Sequence, residues 1–166
     1  MITGWDFTKA THRIALVIEV NARRPEVLVL SPPCTMFSSL MHLNWWKLLP
    51  DVREAKFQEA VIQVEACCLL MDLQISAGRK VVFEHPQRSL SWLNARLSEI
   101  NACDQVRMVN FDQCQFGLVS PIERIPLRKS TTILTSLPQM RVKLMGKKCK
   151  VATSIKSSMA GKGRSS

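Results

Sequence analysis

An open, mostly parallel α/β sheet with helices on its faces is the fold this sequence predicts. Two observations carry the expectation. Short, near-continuous aliphatic runs such as Glu26-Val27-Leu28-Val29-Leu30-Ser31 and Lys80-Val81-Val82-Phe83-Glu84 read as strands buried on both sides. Between them apolar residues recur every three or four positions, the period of a helix, and strands alternating with helices form such sheets.

In chain order, residues 9–22 carry Ala10, Ile14, Ala15, Leu16, Val17 and Ile18 at helical spacing, with Thr8 placed to cap the first turn and Pro25 beyond the end. The first strand then runs to Pro32-Pro33, where two fixed φ angles forbid its continuation. From Val52 to Ala77, Phe57, Val61, Val64, Cys68, Met71 and Ile75 define a long helix stopped by Gly78. The second strand ends at His85-Pro86, and 89–103 is a shorter helical region holding Trp92 and Leu97. Val106–Phe111 and Thr131–Thr135 give two more strands, joined by an irregular segment marked by Pro121 and Pro126.

With 166 residues and 46% hydrophobic content the chain suffices for one domain with a real core. We expect that domain over residues 1–140, followed by a basic, Ser/Gly-containing flexible tail over 141–166. The longest strongly apolar stretch, 66–71, falls far short of the roughly 20 residues that cross a bilayer, so no membrane partner is expected. Polar Thr3, Trp5 and Asp6 stand where a signal peptide would be apolar, and an intracellular protein is expected. Six cysteines without a Cys-x-x-Cys pair or a nearby His grouping predict free thiols, no disulfide framework and no metal. A formal charge of +10 favours a polyanionic partner, although much of the excess lies in the tail, at Lys143, Lys147, Lys148, Lys150, Lys156, Lys162 and Arg164.

In open α/β sheets ligands bind beyond the carboxyl ends of the strands, where Cys34, Glu84 and Asp112 to Gln115 fall. The turn Ser31-Pro32-Pro33-Cys34 offers a held thiol, a plausible nucleophile if it has thiolate character, or else a small packed hydrophobe. Glu84 is a candidate acid or a solvated strand end. His85 reads as a turn or local hydrogen-bonding residue, and Trp45-Trp46 as core packing or a platform for bases. Arg124 and Arg128 could orient a base, contact phosphate or simply be solvated.

Strand, then Pro33-Cys34, then Phe37-Ser38 resembles the catalytic loop of DNA cytosine-5 methyltransferases. Gly4-Trp5-Asp6-Phe7-Thr8 resembles the family's Gly-Asp-Ile-Thr segment, and Glu84 falls where its Glu-Asn-Val glutamate sits. Val109-Asn110, Phe116-Gly117-Leu118 and Glu123-Arg124-Ile125 resemble its later stretch more loosely, so that the likeness spans about residues 4 to 135. The resemblance implies a Rossmann-like S-adenosylmethionine-dependent methyltransferase fold acting on DNA, or alternatively on RNA. Cys34 and Glu84 would be catalytic, Asp6 and Pro32 would contact the cofactor, and Ser38, Arg124 and Arg128 would contact the substrate. The thiolate adds to carbon 6 of a flipped cytosine and Glu84 assists at ring nitrogen 3.

Departures from the pattern are equally specific. No Phe-x-Gly-x-Gly segment precedes Asp6, so the fold is expected to be N-terminally incomplete and to bind S-adenosylmethionine poorly by itself. Glu84-His85-Pro86 replaces Glu-Asn-Val, and no target-recognition domain fits. Pro-Pro-Cys, Glu-His-Pro and Ser91-Trp92 together resemble the methylase-like segments of mobile-element polyproteins, which would make the rest of a larger polyprotein a partner. Methylases of exocyclic amino groups carry an aromatic ring where Cys34 stands, which argues against that class. A non-catalytic basic nucleic-acid-binding domain is the alternative.

Overall fold

The computed structural model describes residues 5–38, 41 and 43–149. Gly4 of the Gly4–Thr8 match and the tail lysines and arginine from Lys150 onward lie outside the described residues. Within them are four α-helices, α1 (Ala10–Arg23), α2 (Pro50–Ser76), α3 (Ala95–Ala102) and α4 (Pro138–Leu144). Four strands, β1 (Val27–Leu30), β2 (Lys80–Pro86), β3 (Arg107–Asp112) and β4 (Ser130–Thr135), form one sheet in the order β1-β2-β4-β3.

The α/β class holds, but the sheet is mixed rather than mostly parallel. β1 pairs with β2 in parallel, whereas β4 runs antiparallel to both its neighbours, β2 and β3. The reason lies in the connections. A parallel return needs a crossover of a dozen or more residues, usually a helix, and α2 supplies one between β1 and β2. Residues 113–129 hold Pro121 and Pro126 and form only a short 3₁₀ turn, Gln113–Phe116, so the chain comes straight back beside β3. Because β4 alone is reversed, the carboxyl ends of β1, β2 and β3 still share one edge of the sheet, joined there by the start of β4.

Alternation along the strands divides the core. Val81 and Phe83 of β2 face a cluster containing Leu30, Leu134, Val20 of α1, Val64 and Met71 of α2, and Leu97 of α3. Val82 faces the other way, with Val109, Phe111 and Ile133, against Leu144 and Met140 of α4. α4 begins with Pro138 in its first turn and spaces Met140 and Leu144 four apart onto the sheet. Of residues 141–149, assigned to the tail by their lysines, Leu144 packs on the sheet and the Cys149 N–H donates to Asp112 Oδ2 at 2.8 Å.

At the first helix the cap differs from the Thr8 expectation. Lys9 occupies the cap position, and it is the Asp6 carboxylate that accepts from the Thr8 N–H and hydroxyl, at 3.0 and 2.6 Å. The 89–103 region divides into a 3₁₀ turn, Leu90–Leu93, and α3, each capped by a side chain, Ser89 and Asn94. No helix among the described residues is long and apolar enough to cross a membrane.

Candidate functional site

The sharp turn after β1 is the centre of the site. Cys34 has φ −99° and ψ 1°, the sparsely populated bridge region, and it heads a 3₁₀ turn of Thr35, Met36 and Phe37. Met36 and Phe37 are buried; the Phe37 ring meets Phe57 of α2 at 5.6 Å and the His85 ring at 5.9 Å. Those two anchors turn the preceding Cys34 toward the surface, where it is half-buried. The thiol lines an open cleft of about 680 Å³ with Ser38, Asn44, Arg88, Arg128 and Lys129.

A second cleft, of about 460 Å³, is lined by Trp5, Asp6, Phe7, Ser31, Pro32 and Pro33. Cys34, Ser38 and Arg128 thus share one cleft, and Asp6 and Pro32 the other. Asp6 already has partners: besides Thr8, Lys9 Nζ stands 3.7 Å from its Oδ2. The Thr8 hydroxyl first, then the Thr8 N–H and the Lys9 charge, hold its carboxyl below the ordinary aspartate value despite some desolvation.

Glu84 sits on β2 opposite Ile133 of β4. Its Oε2 accepts from the Ser31 hydroxyl at 2.7 Å, while Oε1 is shut off from solvent and has no hydrogen-bond partner. An inaccessible carboxylate oxygen left unpaired costs about 1–3 kcal/mol, and Glu84 lines neither the Cys34 cleft nor the Asp6 cleft. His85, the next residue, points to the opposite face and is fully buried. Its Nε2 lies 3.1 Å from the Pro32 carbonyl, and its Nδ1 faces the hydroxyls of Ser91 and, at 3.1 Å, Ser89. Burial lowers the His85 pKa, against the Pro32 hydrogen bond and the Glu84 charge, which raise it.

The two predicted arginines separate. Arg128 lines the Cys34 cleft and reaches Asp112 Oδ2 at 3.5 Å. Arg124 is exposed at the tip of a turn closed by the Val119–Pro126 bridge, with a left-handed φ of 58°. Arg88 and Lys129 add charge that the sequence reading passed over; Arg88 and Arg128 also line an adjoining cleft with Asp112 and Lys148, a residue the sequence reading assigned to the basic tail. Only knowledge of the reversed β4 would have brought Lys129 beside Arg88.

Asp112 is a buried acid at the end of β3. Its Oδ1 accepts from Ser130 at 2.6 Å and its Oδ2 from the Cys149 N–H. Burial raises its pKa, but Ser130, the Cys149 N–H, Arg128 and Lys148 together outweigh that and hold it below the ordinary value. Trp46 is exposed, with its Nε1 donating to the Leu43 carbonyl and Lys47 Nζ 5.4 Å from its ring. The six cysteines are unbridged; Cys67 and Cys68 are buried, and burial pushes both thiols up to about 12. Among the described residues no group of three or more His, Cys, Asp or Glu is placed to hold a metal ion.

Comparison with family models, curated proteins and solved structures finds no match to this chain. The function must be argued from the residues themselves.

Proposed function

We propose that this chain is the cysteine-bearing part of a DNA cytosine-5 methyltransferase-like domain, of the kind embedded in mobile-element polyproteins, with a Rossmann-like ancestry. One observation carries the reading: along the Ser31–Cys34 turn, Ser31, Pro32 and Pro33 line a cleft holding Asp6, and Cys34 lines a cleft in which a half-buried cysteine stands among cations. A methylase needs a base site and a donor site that meet at the nucleophile's turn. In the step derived from this chain's own residues, Cys34 sulfur bonds to carbon 6 of cytosine and the ring electrons move toward nitrogen 3. Glu84, bonded to Ser31 at the head of the same turn, is assigned the proton there. Arg128, Arg88 and Lys129 attract the phosphates flanking a flipped base, and Ser38 lies within the same cleft.

S-adenosylmethionine supplies the methyl group when bound. The residues of the Asp6 cleft suit only its adenine end: Trp5 and Phe7 offer apolar rings and Asp6 an acceptor for the amino group. Among the described residues no basic side chain and no glycine lines that cleft to receive the methionine end, so we derive no step through the donor. An upstream segment of a larger polyprotein is the proposed source of that part.

The test is covalent trapping. An oligonucleotide whose target carries nitrogen at ring position 5 has no proton to lose there and should form a denaturation-resistant adduct with the chain, absent in Cys34→Ser. Adduct that survives Cys34→Ser, or none at any DNA sequence tried, overturns the nucleophile assignment. A second reading, a non-catalytic nucleic-acid-binding domain, is favoured by Arg88, Arg128, Lys129 and Lys148 standing exposed around joined clefts. It expects binding to DNA or RNA that falls steeply with salt and is indifferent to Cys34→Ser.

A further inference from the structure

We propose that His85 is the positioning residue of Cys34: a buried latch that holds the Pro-Pro turn to β2 through the Pro32 carbonyl. The inference rests on the nucleophile reading for the importance of Cys34, but the latch itself stands on geometry.

Two successive prolines leave the segment without main-chain N–H groups, so carbonyls are its only backbone handles. The Pro32 carbonyl can only accept, which places the His85 proton on Nε2 and makes Nδ1 an acceptor. Ser91 or Ser89 then donates to Nδ1, and the two hydroxyls lie 2.8 Å apart, so a serine pair sets the tautomer. Those serines are fixed in turn: Ser89 caps the 3₁₀ turn, and Trp92 Nε1 donates to the Pro86 carbonyl at 2.9 Å. The imidazole is enclosed by the rings of Phe83 at 5.4 Å, Phe37 at 5.9 Å and Trp92 at 6.4 Å.

A polar ring in such a place is costly unless every nitrogen is bonded, and a phenyl ring would fill the space without that demand. What imidazole adds is one directed donor, aimed two residues before Cys34. Glu84, on the opposite face of the same strand, accepts from Ser31 one residue earlier. Consecutive residues of β2 therefore grip consecutive residues of the turn from both faces of the sheet. Burial keeps the ring neutral, the state in which Nδ1 can accept.

The experiment uses the full chain and three variants, His85→Phe, His85→Gln and the double variant Ser89→Ala with Ser91→Ala. Hydrogen exchange is followed at the amides of 34–38, with the β3–β4 pair as the measure of intact fold. Alkylation of Cys34 by iodoacetamide is read by peptide mass against Cys103 in the same molecule. His85→Phe should exchange about fivefold faster at 34–38 and shift the Cys34/Cys103 ratio by a similar factor, the population change that loss of one ordinary hydrogen bond produces. His85→Gln, whose amide offers both donor and acceptor, should restore both. If His85→Phe also loses β3–β4 protection, Ser91→Ala combined with Ser89→Ala, which leaves no hydroxyl to donate to Nδ1, takes its place and should raise exchange at 34–38 alone. Unchanged 34–38 exchange in a folded His85→Phe chain or in the folded double serine variant, or failure of His85→Gln to restore it, overturns the latch. Adduct formation with the trapping oligonucleotide is scored separately, so a sound latch without adduct counts only against the methylase reading, and adduct without a latch only against His85.

Discussion

Two irregular segments leave the same edge of the sheet, the 31–38 turn and the 117–129 loop, and they are held in opposite ways. In the first, Pro32, Met36 and Phe37 are buried and β2 contributes partners to Ser31 and Pro32. In the second, residues 121–129 are all exposed, and the loop's main chain bonds largely to itself, Ser120 N–H to the Ile125 carbonyl and Leu127 N–H to the Leu118 carbonyl. Its foot is fixed where Arg128 and Ser130 meet Asp112. Side chains that must be placed to within a fraction of an ångström belong on the first kind of segment, and of the two proposed site residues Cys34 has such a placement and Arg124 does not. Arg128 is intermediate, an exposed side chain with one buried partner.

The contrast yields graded expectations. Phe83→Ala empties the space beneath the gripped turn, between the Trp92 and His85 rings, and should cost about 3–5 kcal/mol in urea unfolding. Asp112→Ala removes the anchor of the second loop, and loss of its hydrogen bonds should cost about 1–3 kcal/mol. Since Asp112 has a lowered folded-state pKa, its contribution is present above the unfolded value, near 3.8, and is lost as pH falls below it. A urea titration series from neutral to acid pH should show a smaller loss in Asp112→Asn than in the parent, since Asp6 keeps its own contribution. Ser31→Ala cuts one side of the two-sided grip at an exposed position and should cost about 0.5–1.5 kcal/mol. Ile122→Ser, at a position 89% exposed on the free loop, should stay within about 0.5 kcal/mol, and a larger loss would mean that the loop is packed after all.

How far these differences can be read from the sequence depends on the range of the interactions. All four strands were legible within a residue or two, because Val27–Leu30 and Val81–Phe83 are unbroken aliphatic runs flanked by Pro, Gly or charge. Cys34 was legible because prolines state their φ angles outright. The reversed β4 was not foreseen, although Pro121 and Pro126 between it and β3 already denied that connection the helix a parallel return requires. α4 was hidden by its own lysine and arginine, whose charge outweighed the Met140 and Leu144 pair in a composition-based reading. The His85 bond to Pro32 spans 53 residues, and no local pattern encodes a contact of that separation.

The same separations set an order in time. Asp112 and Ser130 are 18 residues apart, whereas Ser31 and Glu84 are 53 apart, with all of α2 between them. Closing the longer loop loses more chain entropy before any contact rewards it. The β3–β4 pair is therefore expected to nucleate the sheet and β1 to dock last, with φ-values high at Val109 and Ile133 and low at Leu28 and Leu30. The turn that presents Cys34 would then take shape only when the rest of the sheet is already in place, and a nascent chain would carry that thiol without its cleft until the final step of folding.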